Sequence, residues 1–197
     1  SQGEVLVKSR QASDALGGTK MDRPEWTAVD PITKQVYCTL TNNSERGAAG
    51  KPPADAANPR SNNTMGQVIR WQEAGDLDAA TFTWNHLVLA GDPAQARDDA
   101  KGNVRGDIFG SPDGIWVDPR GVVWVQTDVS TSTLGKNDYA NLPNNQMLAC
   151  DPNAPGGPQM RRFLVGPAGC EVTAVTMTPD MRTMFVNIQH PGESASE

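Results

Sequence analysis

Two acids stand in one column of a weak internal repeat, and a third stands close to it. Pro24-Glu25-Trp26-Thr27-Ala28-Val29-Asp30-Pro31 aligns with Pro112-Asp113-Gly114-Ile115-Trp116-Val117-Asp118-Pro119, each giving a proline, an acid, three residues and then Val-Asp-Pro. A looser third copy runs from Glu171 through Thr178-Pro179-Asp180. Counted back from its turn proline, Thr173 occupies the acid column and Glu171 lies two residues earlier, which keeps it on the same strand face. Carboxylates that converge repel one another unless they are protonated or neutralised by cations. Hard oxygen donors of this kind suit Ca²⁺, which takes six to eight of them, and they also serve iron or manganese. A single acid here would read as a strand-end cap, whereas Glu25, Asp113 and Glu171 together read as metal ligands. Arg23 lies two residues before Glu25, so its planar fork can grip a phosphoryl oxygen beside them. The plainer reading of Arg23 is an ion pair with Glu25 or Asp22.

The elements that must position these residues are strands. The first copy continues into Gln35-Val36-Tyr37-Cys38-Thr39-Leu40-Thr41, the second into Val122-Val123-Trp124-Val125-Gln126-Thr127, and the third into Thr183-Met184-Phe185-Val186-Asn187-Ile188. Val-Asp-Pro and Thr-Pro-Asp suit tight turns, since proline fixes φ and aspartate bonds its own turn backbone. A second hairpin follows each of the first two copies. One runs from Gly66 to Trp71 and from Thr81 to Leu89, the other from Gln146 to Cys150 and from Met160 to Val165. Two hairpins per repeat make a four-stranded blade, and blades arranged radially make a β-propeller. The expected fold is therefore all-β: antiparallel blades over about 23–91 and 112–166, with a further blade opening at 170–190. Propellers close with about four to eight blades, so the chain reads as part of one. A single antiparallel sandwich with coincidental turns is the competing arrangement. Segments 48–63 and 90–110 are long polar excursions, either functional or mere decoration, and residues 9–20 suit a short helix.

Composition narrows the function classes. Nineteen Gly, 15 Pro and 37% hydrophobic residues describe a loop-rich β protein, and five Trp supply surface for a core. A net charge of −6 without a basic run argues against a nucleic-acid partner. No apolar stretch reaches the ~20 residues of a membrane span, and Ser1 to Arg10 lack the apolar region of a signal peptide. The first residue is not Met, which suggests a piece of a longer protein. Cys38, Cys150 and Cys170 form no CxxC pattern. Cys38 reads as a buried free thiol, and a Cys150–Cys170 bridge is conceivable. His86, in a strand between aromatics, reads as structural, while His190 faces the channel or orders a loop. The GxSxG, Walker-type and HExxH patterns are absent.

Four segments together resemble the PhoX family of alkaline phosphatases. They are Met21-Asp22-Arg23-Pro24-Glu25-Trp26, Ser111-Pro112-Asp113-Gly114, Gly169-Cys170-Glu171 and Asn187-Ile188-Gln189-His190-Pro191-Gly192-Glu193. The resemblance implies a β-propeller enzyme that hydrolyses phosphate monoesters at a cluster of iron and calcium ions, exported to the periplasm or secreted. It casts Arg23 as the phosphate-contacting arginine and Glu25, Asp113 and Glu171 as metal carboxylates. Family members are much longer, and their thiolate iron ligand lies in an N-terminal half with no counterpart here. Cys38 and Cys170 therefore do not take that role. The chain would be the C-terminal portion, partnered by the remaining N-terminal blades and a small phosphoester, and inactive alone. Ala174 stands where the family pattern would put glycine after Thr173. A calcium-dependent propeller hydrolase of the lactonase kind, or a propeller used only for binding, is the rival reading.

Overall fold

In the computed structural model, which describes residues 1–192, ten antiparallel strands follow one another with short connections and three long loops, 41–66, 90–111 and 128–145. Strands β1 (Pro24–Val29), β2 (Val36–Leu40), β3 (Gln67–Glu73) and β4 (Phe82–Leu89) form one sheet in that order. A second sheet takes β5 (Pro112–Val117), β6 (Val123–Thr127), β7 (Gln146–Cys150) and β8 (Arg161–Val165), again in chain order. Finally β9 (Glu171–Met177) pairs with β10 (Met184–Gln189). The strands β1 and β2 pack on β5, and β5 and β6 on β9. Each unit thus leans its opening strand on that of the next, as propeller blades do, which excludes the single sandwich. Glu193, the last residue of the fourth motif, lies outside the described residues.

The repeat has a physical basis in its turns. Asp30 accepts from the Ile32 and Thr33 backbone N–H groups at 2.8 and 3.2 Å, and Asp118 from those of Arg120 and Val122 at 2.8 and 3.1 Å. Both carboxylates are buried. Each is held below the usual range, because bonds to its charged form, led by the Thr33 hydroxyl for Asp30 and the Arg120 guanidinium for Asp118, outweigh the burial that opposes it. The strands on either side close with matching backbone bonds: Asp30 to Gln35, Asp118 to Val122 and Thr178 to Thr183, each 2.9 Å. In the third copy Asp180 has moved along the turn and accepts from the Thr178 hydroxyl at 2.5 Å.

The core lies between units. Tyr37, Val68, Phe109, Ile115, Val117 and Val125 fill the space between the first two sheets. Trp124, Met147, Val172 and Val175 fill the space between the second sheet and the last hairpin. All five β6 residues are buried, as expected of a strand covered on both faces. At the N-terminus, helix formation extends beyond expectation. A first helix, α1 (Gln2–Val7), precedes α2 (Ser9–Ala15), and neither buries a residue.

The long loops are neither free excursions nor loose decoration. Arg46 donates through Nε to Asp22 Oδ1 at 2.7 Å, and both side chains are shut off from solvent. Asn43 and Asn63 donate to the same carboxylate at 3.0 and 2.9 Å. Further Arg46 donors reach the carbonyl oxygens of Pro53 and Lys20. A second buried guanidinium, Arg60, donates to the carbonyls of Ala90, Lys101 and Gly66, tying one loop to the other. Burial pulls its pKa down to about 10. Arg46 meets the cost of burial with a paired carboxylate, whereas Arg60 relies on carbonyl oxygens and leaves its Nε without a partner.

Removing one partner of the Asp22–Arg46 pair strands the other in a dry site. Arg46→Met is expected to destabilise the chain by about 3–5 kcal/mol. Lys51→Ala, which breaks the exposed Lys51–Glu45 pair, should change stability by less than about 1 kcal/mol. Chemical denaturation of the two variants checks the contrast, and equal losses would contradict it.

Candidate metal centre

The acids of the repeat column sit in β-bulges. The β1–β2 register shifts between Pro24 and Thr27, and the β5–β6 register shifts between Pro112 and Ile115. Glu25 and Asp113 fall inside these two shifts, where an extra residue bends the strand and re-aims its side chain. The buried Thr39 hydroxyl stitches the bulges together. It accepts from the Trp26 N–H at 3.1 Å and donates to the Asp113 carbonyl at 2.5 Å. Gly114 is needed beside Asp113 because a Cβ there would meet Thr173 O at 2.6 Å and Gln126 Oε1 at 2.5 Å. The close backbone approach between β5 and β9 is thus made by Gly114, with Ala174 accommodated in its pairing with Asn187.

Asp113, Asp128 and Glu171 converge, each offering an oxygen within 4.8 Å of the others. Burial, followed by the charges of Glu25 and Asp128, pushes Asp113 up to about 6 despite Arg23 nearby. Burial, with Asp128 and Asp113 adding, pushes Glu171 up to about 7 against His190 and Arg23. Burial and mutual repulsion thus raise both Asp113 and Glu171, and the neighbouring cations only partly offset this.

Arg23 ties Glu25 to this cluster. Its Nε donates to Glu25 Oε1 at 2.7 Å and its Nη2 to Asp128 Oδ2 at 3.1 Å. Burial works to lower its pKa, but the bond to Glu25 and the charge of Asp128 outweigh that and hold it above its ordinary value. Of the two ion pairs open in the sequence, the Glu25 pair forms and the Asp22 pair does not, because Asp22 is taken by Arg46. Glu25 stands outside the three-acid convergence and joins it through Arg23.

Asp128 is the member that the repeat did not disclose. It follows the last residue of β6, and its N–H donates to Ser111 O at 3.0 Å, just as Thr41 N–H donates to Arg23 O at 3.0 Å. In an antiparallel hairpin the end of the second strand returns beside the start of the first. A signal for Asp128 therefore existed, in the residue that faces the column rather than in the column itself. The same pairing sets Glu171 opposite Gln189, so Arg23, Ser111 and Glu171 share a position. Arg23 and Ser111 hold left-handed backbone there, with φ of 49° and 51°, a conformation that non-glycine residues adopt at a cost.

Two clefts flank Asp128. One of about 280 Å³ contains Arg23, Asn42, Ser111 and Tyr139, and the other, about 310 Å³, contains Cys170, Glu171 and His190. His190 faces Gln189 Nε2 at 2.9 Å. His86 is structural: its Nε2 lies 3.1 Å from Ala57 O and its ring packs edge-on to Trp84. The conceivable Cys150–Cys170 bridge does not form, since all three thiols are free and buried. Desolvation pushes Cys38 up to about 11 and Cys150 up to about 12, which keeps both protonated and poor as ligands.

Comparison with known proteins supplies a context for this geometry. The family model described as "Alkaline phosphatase PhoX" matches residues 1–192. Among solved structures, PhoX of Pseudomonas fluorescens, in complex with vanadate as a transition state analogue, aligns at 45% identity with a TM-score of 0.90. That alignment covers 100% of this chain and 34% of the other, so the chain spans about a third of its length. No curated protein matches the chain. Among the described residues no helix is long and apolar enough to cross a membrane.

The raised acids give a signed pH dependence. Asp113 and Glu171 bind protons more tightly in the folded chain than in the unfolded one, whose carboxyls titrate near pH ~4. Their contribution to stability is therefore present at low pH and lost as pH rises from about 4 to about 7. In chelator, the Tm lost between pH 5 and pH 8 should be smaller in the Asp113→Asn/Glu171→Gln double variant. Millimolar calcium should raise the native Tm more at pH 8 than at pH 5. Thermal scans check both, and an equal calcium effect on native and double variant at pH 8 would refute the shared site.

Proposed function

The chain belongs to the PhoX family of alkaline phosphatases, and on that premise we propose that it forms the C-terminal part of a metal-dependent phosphomonoesterase centre. The observation that carries this reading is Arg23 bonded to Glu25 and to Asp128, whose carboxylate converges with those of Asp113 and Glu171. The donor set fits hard cations: Glu25, Asp113, Asp128 and Glu171 offer only oxygens, as calcium requires and iron accepts. The protonated, buried cysteines provide no thiolate, so a softer ligand would come from the remaining N-terminal blades. Calcium and iron bound there would neutralise phosphoryl oxygens and orient an oxygen nucleophile for in-line attack.

This chain's own residues do the rest. Arg23 commits Nε to Glu25 and one Nη2 hydrogen to Asp128, which leaves the Nη1 hydrogens and the other Nη2 hydrogen for a phosphoryl oxygen. Glu25 and Asp128 fix the guanidinium plane before substrate arrives, so no reorganisation is needed as charge develops. Asp113 and Glu171 would give up their protons on binding a cation. A lactonase-type propeller also uses channel acids, but its neutral substrate gives no reason to hold an arginine among them. The family resemblance supports a periplasmic or secreted location.

In the full-length protein, Arg23→Ala should lower turnover of a simple phosphomonoester by ~10²–10³, the usual loss for one stabilising donor. Glu25→Gln should lower metal content as well as rate. Residues 1–197 alone should show little activity, because a few carboxylates cannot saturate several ions that each want about six to eight oxygens. Steady-state kinetics with metal analysis decide the matter. Robust, chelator-resistant activity from residues 1–197 alone would overturn the partial-site reading.

A further inference from the structure

The cleft of about 280 Å³ on the Arg23 side of Asp128 has a chemistry of its own. Its walls carry hydroxyls and an amide, among them Asn42, Thr64, Ser111, Ser130 and Tyr139. Ser111 and Tyr139 are buried, and their hydrogen bonds run in one direction. Tyr139 spends its single hydroxyl hydrogen on the Thr64 carbonyl. The 2.7 Å bond between Ser111 Oγ and Tyr139 Oη therefore takes the serine's hydrogen. Asn42 Nδ2 in turn donates to Ser111 Oγ at 3.2 Å. Ser111 has no hydrogen left to give, and what it can still offer the cleft is an acceptor lone pair.

That directionality selects a ligand class. A phosphate dianion carries acceptors alone, so an acceptor fixed in the wall does not suit it. A hydroxyl group does, because it can donate. Resting on the phosphatase reading, we propose that this cleft is the leaving-group subsite and that it takes the alcohol part of a polyol or sugar phosphate. Arg23 holds the phosphoryl end, while Ser111 Oγ accepts from a hydroxyl of the ester's alcohol. The volume is at the small end of ligand pockets, matched to a short polyol rather than a large aromatic group. Ser111 is a specificity-determining residue in this scheme and takes no part in bond making.

The test compares glycerol 1-phosphate with propyl phosphate, an ester of the same carbon count without the free hydroxyls, on the full-length, metal-loaded protein. One well-formed hydrogen bond predicts a kcat/KM ratio of about 5–10 in favour of the glycerol ester. Ser111→Ala should bring the ratio to about 1, and a ratio that stays high in a folded variant would remove Ser111 from the role. A native ratio of 1 or below, which needs no variant, would overturn the subsite while leaving the phosphatase reading intact. Hydrolysis of neither ester would instead overturn the phosphatase reading on which the subsite rests.

Discussion

A carboxylate with no access to water governs this end of the molecule. Asp22 immediately precedes Arg23, and its charge is met by Arg46, Asn43 and Asn63 from the loop that follows β2. Replacing a buried ion pair by apolar groups is often no loss, so its value lies in placement more than in net stability. Here the placement is of the chain itself. With Asp22 locked to the loop, Arg23 is free to turn the other way, and its left-handed backbone sends the guanidinium towards Glu25 and Asp128. Two adjacent charged residues thereby face opposite ways, one buried against the loop and one half-exposed beside the acid cluster.

The candidate site is built at the expense of local comfort. Carboxylates are crowded, two residues of one column hold strained backbone, and two bulges interrupt otherwise regular hairpins. Proteins tolerate such departures where the surroundings over-determine them. In this chain the surroundings are the interleaved units: Thr39 reaches from the first sheet to the Asp113 carbonyl, and Gly114 lets the third unit's backbone approach. Neighbouring units therefore position the acids jointly, and no single blade carries the site.

The converging carboxylates and the Arg23 guanidinium meet at Asp128. It touches Arg23 on one side and stands with Asp113 and Glu171 on the other, and both clefts open beside it. A carboxylate in that place links the acid cluster directly to the orientation of the guanidinium. Ser130 lines both clefts, while Cys170 and His190 line only the one that holds Glu171.

Much of the architecture was legible in the residues. Asp30-Pro31 and Asp118-Pro119 specify their turns through bonds that span only a few residues, so the paired hairpins and the all-β fold follow from local chemistry. The column of Glu25 and Asp113 was legible for the same reason, because a repeat preserves register. Only the tertiary structure could decide what those side chains meet. Asp128 joined the site because antiparallel pairing returns the end of β6 to the start of β5. Asp22 left the list of Arg23 partners because Arg46, 24 residues on, claims it in the interior. Helix 2–7 and the packed loops likewise carry no periodic signal. The division has one physical cause: turns and strand faces are set by neighbours in sequence, whereas burial and charge pairing are set by distance in space.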